Sequence, residues 1–459
     1  MAKKKQIELT IEEKLQNALV PKEEQPYKIP SNWCWSYWKY CGKFIAGNGF
    51  KNIYQGFTQY DIPYYKVGSL KFCDEGNYLI DETNTINEEI RTKLKAVKIP
   101  VNSIIFAKIG EAIKLNRRCL NKIECCIDNN LMAFISKKYF YKYIFYWTKS
   151  LNFYELTNAT TVPALRKTDL ENIPIPLPPL NEQQRIVNRI ESLFAKLDRA
   201  KELIENTLAQ FEQNKMAILH KAFIGELTAK WRKENNIDLS SWQDYQLKDI
   251  CEKITDGTHN SPINTDLGDY MYITAKNIKE EGIDLSKITY VSSDIHEKIY
   301  ARCNVEFGDV LYIKDGATTG IATINTIKEQ FSLLSSVAVL KPKKNKLLAK
   351  YLVYKLNSNE VRNMMINNMS GVAITRLTLT KIKQAKMKFP TIEEQQEIVN
   401  ILDKLLAKYN KIKNLEQQLE KIELLKKAIL AKAFRGELGT NNPDEESAEN
   451  LLKEILAEK

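Results

Sequence analysis

Long apolar runs are missing from this chain of 459 residues, in which 44% of residues are hydrophobic and 27% charged. No stretch approaches the roughly 20 residues of a membrane span, so the composition reads as globular. Histidine is scarce, and the 8 cysteines show no C-x-x-C spacing, which leaves no basis for a structural zinc site or a disulfide framework. No phosphate-binding G-x-x-x-x-G-K-S/T loop occurs. The only Gly-Lys pair, Gly42-Lys43, has Tyr37 where the first glycine would stand, so ATP hydrolysis is not encoded. The Asn-Pro-Pro-aromatic motif of adenine methyltransferases, the G-x-S-x-G elbow and the His-Glu-x-x-His helix are absent as well. A dispersed Asp…Glu-x-Lys nuclease centre, which assembles only in space, stays open as an alternative. The charged start Met1-Ala2-Lys3-Lys4-Lys5 leads into no apolar segment, and a cytoplasmic protein is expected.

What is there is positive charge and repetition. Lys plus Arg number 68 against 57 Asp plus Glu, a formal net charge of +11, which makes nucleic acid the leading partner class. A chain this long exceeds one ordinary core. It divides by duplication: Glu182-Gln183-Gln184-Arg185-Ile186-Val187-Asn188 returns as Glu394-Gln395-Gln396-Glu397-Ile398-Val399-Asn400, and Lys221-Ala222-Phe223-Ile224-Gly225-Glu226-Leu227 returns as Lys432-Ala433-Phe434-Arg435-Gly436-Glu437-Leu438. Fainter matches pair Ser31-Asn32-Trp33 with Ser240-Ser241-Trp242, and Ile104–Gly110 with Val310–Gly316. The layout is globular, helix, globular, helix.

Each globular part mixes short β-branched or aromatic runs with turn clusters and is expected to be a strand-rich α/β domain. Helices are expected over Tyr139–Leu156 and Leu347–Met369. Prolines at 174, 176, 178 and 179, and Pro390 in the second copy, end each domain. A long helix follows each. In the first, Ile186, Ile190, Leu193, Leu197, Ala200, Ile204, Thr207, Phe211, Asn214 and Ile218 step by 4 and 3, a heptad seam that requires a partner helix. The second keeps the rhythm through Ile398, Leu402, Leu405, Tyr409 and Ile412, then slips in phase to Leu415, Leu419, Ile422 and Ile429. At 1.5 Å per residue the first helix spans about 63 Å. Gly225 and Gly436 have the place of left-handed C-caps.

These residues resemble the DNA-specificity subunit family of type I restriction-modification systems. The resemblance rests on the paired Glu-Gln-Gln helix starts, the paired Ala-Phe-x-Gly-Glu-Leu helix ends, and two second-copy signatures, Thr255-Asp256-Gly257-Thr258-His259 and Gly308–Gly320. In the first copy Ile109-Gly110-Glu111-Ala112 replaces the Asp-Gly-Ala-Thr run. The resemblance implies two similar α/β (α+β) target-recognition domains, separated by two long helices in an antiparallel coiled coil with a pseudo-twofold internal repeat. Residues 1–30 would be an N-terminal arm, 31–180 the first recognition domain and 181–230 the first spacer helix. Residues 231–392 would hold a linker and the second domain, 393–438 the second spacer helix, and 439–459 a helical tail lying near the N-terminus. Each domain would read half of a bipartite, asymmetric site in double-stranded DNA. Two methyltransferase subunits and the restriction/translocase subunits would be partners, carrying S-adenosylmethionine, ATP and Mg²⁺; this chain would be non-catalytic. A coiled-coil adaptor without base readout is the alternative.

Polar and basic residues of the matched loops are the expected DNA contacts: Lys66, Ser69, Lys108, Arg117, Arg118, Arg166 and Lys167 in the first copy, and Thr258, His259, Asn260, Thr274, Lys276, Asn277, Lys314, Thr318, Thr319 and Arg376 in the second. Arg and Lys suit guanine or phosphate, and Asn suits adenine. Asn260, Thr318 and Thr319 are equally good turn formers. Repetition at the helix ends marks Gln183, Gln184, Phe223, Glu226, Gln395, Gln396, Phe434 and Glu437 as partner-docking residues, with capping and seam packing as the competing role.

Overall fold

The computed structural model describes residues 10–157, 162–367, 377–410 and 413–457. The chain forms two compact units: Met1–Glu202 with Gln418–Lys459, and Leu203–Gln417. No helix among the described residues is long and apolar enough to cross a membrane.

In the first unit, strands Gly42–Ala46, Leu131–Ser136, Ile104–Ala107 and Arg118–Leu120 form, in that order, an antiparallel sheet. Ile104-Ile105-Phe106-Ala107 is buried on both faces, as a short β-branched and aromatic run demands. A second sheet places Ile62–Tyr65 between Thr85–Ile86 and Cys126–Ile127, the latter pair parallel. Cys34–Tyr37 pairs antiparallel with Pro174–Leu177. Two prolines are tolerated in that last strand because it has one neighbour only, leaving its other edge free of ladder bonds.

The second unit repeats this topology. Cys251–Asp256, Val337–Pro342, Val310–Ile313 and Ala322–Ile324 form the four-stranded sheet. Tyr270–Ile273 lies between Thr289–Val291 and, parallel, Phe331–Leu333; Gln243–Gln246 pairs with Lys386–Phe389. The domain-closing helices are shorter than expected. The first is Tyr141–Ser150. The second breaks into Ala349–Leu356 and Asn359–Asn367, because Asn357 exchanges two hydrogen bonds with the backbone of Ala322 and Ser358 folds back onto the Lys355 carbonyl. The end of the expected segment, 368–369, lies outside the described residues.

The first long helix is Leu180–Phe223, 44 residues, or about 66 Å. Its seam is less exposed than its flanks, with Ile186 and Ile190 fully buried and Asn214 exposed. In the first unit Ile186 and Ile190 share a core with Leu430, Ala433 and Phe434. In the second unit Leu219, Ala222 and Phe223 share one with Ile398, Val399 and Leu402. In the first unit the Lys426–Asp198 and Lys201–Glu423 pairs continue that contact in descending register, so the two helices run antiparallel there. The second long helix is described as Ile392–Asn410 and Lys413–Ala433; Ile412, where the phase slip is expected, lies outside the described residues. Gly225 and Gly436 take φ of +85° and +75°, the left-handed stop that a side chain would resist.

The terminal segments join the first unit's core. Thr10 caps the helix Ile11–Ala18 in a reciprocal box with Glu13. The tail helix is Ala448–Ala457, and the chain ahead of it bonds Asn32, whose side chain donates to the Asn442 carbonyl (2.9 Å) and whose carbonyl accepts from the Ala448 N–H. Leu15 and Ala18 pack with Ala448, Leu452 and Ile455.

A buried lysine packs among the aromatic rings of the second unit's core. Lys355 stands where the first unit has Trp147, and its Nζ lies 4.8 Å from the Phe223 ring centre, 5.3 Å from that of Phe389 and 5.9 Å from those of Tyr351 and Trp242. Burial pushes the Lys355 ammonium down to about 8, below its unfolded value near 10.4. Between those values the unfolded chain binds more protons, so this group makes stability rise with pH from about 8 to about 10.4. Urea titrations across that window should show a shallower slope for Lys355→Met than for the native chain.

Candidate nucleic-acid interface

Both copies launch a loop from the same point of the four-stranded sheet. After Gly42–Ala46 comes Gly47, and after Cys251–Asp256 comes Gly257. A Cβ on Gly47 would sit 1.9 Å from the Asp128 carbonyl oxygen, and one on Gly257 1.9 Å from that of Leu333. Each glycine lets its loop leave pressed against a neighbouring backbone. The loops then diverge, and their tips carry the most exposed large aliphatics among the described residues: Ile53 at 71% in one, Ile263 and Leu267 at 85% in the other.

In the second copy the loop root is held electrostatically. The buried Asp256 carboxylate accepts from Arg302 at 2.6 Å and lies 3.5 Å from both the Lys314 Nζ and the His259 Nε2. Lys314 also meets Asp315 at 3.0 Å. The Thr255–His259 and Gly308–Gly320 signatures thus touch through Asp256 and Lys314. In the first copy Ala46 has the place of Asp256, and Lys108, the counterpart of Lys314, is half-buried.

Five of the expected DNA contacts have side chains turned inward. Ser69 accepts from the Lys66 N–H, and Asn277 accepts from the Thr274 N–H while donating to the Asp284 carbonyl. The matched pairs are the same turn, built with Ser in one copy and Asn in the other. Arg118, 4% exposed, lies 3.8 Å from the Phe153 ring centre and donates to the Asn116 and Leu151 carbonyls. Burial alone pushes its guanidinium down to about 9. Lys314 is committed to its two carboxylates, and buried Thr319 bonds the Gly316 carbonyl. Arg117, Arg166, Lys167, His259, Asn260, Lys276 and Thr318 remain exposed, and Lys66, Lys108, Thr258 and Thr274 half-buried. Arg376 lies outside the described residues. Arg302, half-exposed beside His259, had no repeat or family signature to point to it.

The repeated helix ends divide in two. Gln183 and Gln395 are fully buried. The Gln183 Oε1 accepts from the Phe140 N–H at 3.1 Å, and its Nε2 donates to the Pro178 carbonyl at 3.0 Å. Gln395 accepts from the Leu348 N–H and donates to the Lys346 and Pro390 carbonyls. Each clamps the start of its domain's closing helix to the start of a long helix. Phe223 and Phe434 are core residues, so these four serve as internal joints of the chain. Gln184, Gln396, Glu226 and Glu437 are exposed, and both exposed glutamines bond the asparagine one turn on, Asn188 or Asn400.

Beside these joints lies a buried carboxylate in each copy. Glu394 accepts from Thr228 (2.6 Å), Arg232 (2.5 Å) and the Trp242 indole (2.9 Å). Glu182 accepts from Thr440 and from Arg185, which also bridges to Glu445. Among the described residues no group of three or more His, Cys, Asp or Glu side chains could hold a metal ion.

A family model described as the type I restriction modification DNA specificity domain matches residues 52–210 and 240–424. The chain is 29% identical over 377 residues to the type I restriction enzyme EcoBI specificity subunit of Escherichia coli, covering 76% of each chain. It is 26% identical over 318 residues to the EcoKI specificity subunit of Escherichia coli strain K12, covering 66% of this chain and 68% of the relative. Among solved structures, a chain from work on complex assembly and conformational transition of the type I R-M system aligns with a TM-score of 0.65 at 19% identity, over 90% of this chain and 100% of that one. The HsdS subunit from Thermoanaerobacter tengcongensis aligns at 0.51, also at 19% identity, over 90% and 99%. The family match takes in more than half of the chain and falls once on each copy of the duplication, and on that ground this protein belongs to the type I restriction-modification DNA-specificity family.

Proposed function

We propose that this chain is the specificity subunit of a type I restriction-modification complex and performs no catalysis itself. Each duplicated domain reads one half of a bipartite site in double-stranded DNA, and the paired long helices set the gap between the halves. The observation that carries this reading is the duplication of a whole reader topology, each copy clamped at the same glutamine to the start of a long helix.

Base and phosphate contacts are assigned to the surface that remains after the inward-turned residues are removed: Arg117, Arg166 and Lys167 in the first domain, His259, Asn260, Lys276 and Thr318 in the second, with Lys66, Lys108, Thr258 and Thr274 at the margins. The loop tips at Ile53 and at Ile263 and Leu267 add apolar surface of the kind that meets thymine methyl groups. Exposed Gln184, Gln396, Glu226 and Glu437 suit two equivalent methyltransferase subunits, with restriction/translocase subunits joining them. S-adenosylmethionine, ATP and Mg²⁺ belong to those partners.

The test is selection from a pool of random duplexes by the chain assembled with its methyltransferase. The expected enrichment is two short constant blocks separated by a fixed number of unselected base pairs, with affinity that falls steeply as salt rises. Salt-dependent retention with no enriched motif would reduce the chain to a coiled-coil adaptor.

A further inference from the structure

The first unit contains a thiol pair. Cys73 follows the 3-10 turn Val67–Lys71, Cys119 sits mid-strand in Arg118–Leu120, and their Sγ atoms lie 2.7 Å apart across 46 residues of sequence. Both line an open cleft of about 1140 Å³. Cys73 is partly exposed to it, whereas Cys119 is buried. The cleft lining mixes both charges with cations in excess, among them Lys71, Arg117 and Lys149, with Glu75 also near the thiols. Lys149 is tethered to the Asn77 side chain, and burial lowers its ammonium to about 8.

The two thiols are unlike. A hydrogen bond from Cys119 holds Cys73 below the ordinary thiol value, aided by the charges of Lys149 and Arg117 against burial and Asp74; Cys119 is raised correspondingly. Burial raises Cys34, Cys41, Cys125, Cys126, Cys251 and Cys303. One reachable thiol inclined to ionise, with a second at contact distance, is the layout of an attacking and a resolving cysteine.

We propose that Cys73 and Cys119 are a reversible redox site for a low-molecular-weight disulfide such as oxidised glutathione. The Cys73 thiolate attacks one sulfur of the reagent and expels its other half as a thiolate, leaving a mixed disulfide. Cys119 passes its proton to that leaving group and attacks the Cys73 sulfur, expelling the second half, which takes a proton from water balanced by the one Cys73 first released. Two protein thiols are oxidised and the reagent is reduced to two thiols. The excess of cations in the lining attracts the carboxylates of glutathione. The cross-link ties the segment after the Lys66 turn to the strand beside Arg117 and closes a long loop, which restricts the unfolded chain.

The experiment treats the full chain with oxidised glutathione, alkylates the remaining thiols and maps peptides without reduction. The expected product is one cross-linked peptide pair containing Cys73 and Cys119, lighter by two hydrogens, with the other six thiols alkylated. Its melting temperature should rise by several degrees and return with dithiothreitol. In Cys119→Ser the reaction should stop at a glutathione adduct on Cys73, and Cys73→Ser should take up neither. Complete alkylation of both cysteines after treatment, or a native chain that accumulates the Cys73 adduct without cross-linking, overturns the proposal. Neither outcome bears on DNA reading, which the duplex selection tests separately.

Discussion

Glu394→Ala should cost the second unit about 3–5 kcal/mol, the range for removing one partner of a buried ion pair. Arg232 is left with its guanidinium 9% exposed and no carboxylate, and the Thr228 hydroxyl and Trp242 indole each lose an acceptor. At roughly 2–4 °C per kcal/mol for a unit of this size, its thermal transition should fall by about 6–20 °C. The matched change in the other copy, Glu182→Ala, should cost less, about 1–3 kcal/mol. Arg185 is 38% exposed and keeps a 2.8 Å bridge to Glu445, so water and a second acid take over part of its pairing. Hydrogen exchange read unit by unit checks both changes. Equal losses in the two units, or a Glu394→Ala loss under about 1 kcal/mol, would refute the account.

Four residues added to both long helices at the level of the Lys201–Glu423 pair should move the recognised site. Four residues add about 6 Å and little more than one helical turn, so the seam stays nearly in phase. With base pairs stacked every 3.4 Å or so, the preferred gap should lengthen by about one or two base pairs while both half-sites stay the same. Affinity for the original site should drop by about 100-fold or more, as expected when one half-site is lost. Duplex selection with the lengthened chain reads both quantities, and an unchanged gap would remove the helices' role as a spacer.

The duplication, the long helices and their stops were readable in the chain because each depends on local rules: proline before a helix, heptad spacing along it, glycine after it. The seams called for a partner helix, and the family resemblance supplied the antiparallel direction. The interface was harder to read, for two physical reasons. Repetition marks whatever two copies share, and an internal joint is shared as strictly as an external face, so buried Gln183 and exposed Gln184 look alike in sequence. Charge is also ambiguous until its partner is known. Lys314 and Lys108 hold matching positions, yet only Lys314 meets a buried aspartate, because residue 256 is Asp where residue 46 is Ala. Arg118 is the buried first residue of an edge strand, while its neighbour Arg117, just ahead of that strand, is exposed.

The two glutamine clamps take hold of backbone atoms alone: an amide N–H and a carbonyl at the start of each closing helix and after each closing strand. A joint of that kind is indifferent to the identity of the side chains it secures. Foreign reading heads could be grafted between the same two anchoring points without redesigning the shaft, provided their backbones arrive in the same place. Changing what the molecule reads then requires no change in what carries it, and the freedom of one region to diverge is built on the chemical anonymity of the contact that retains it.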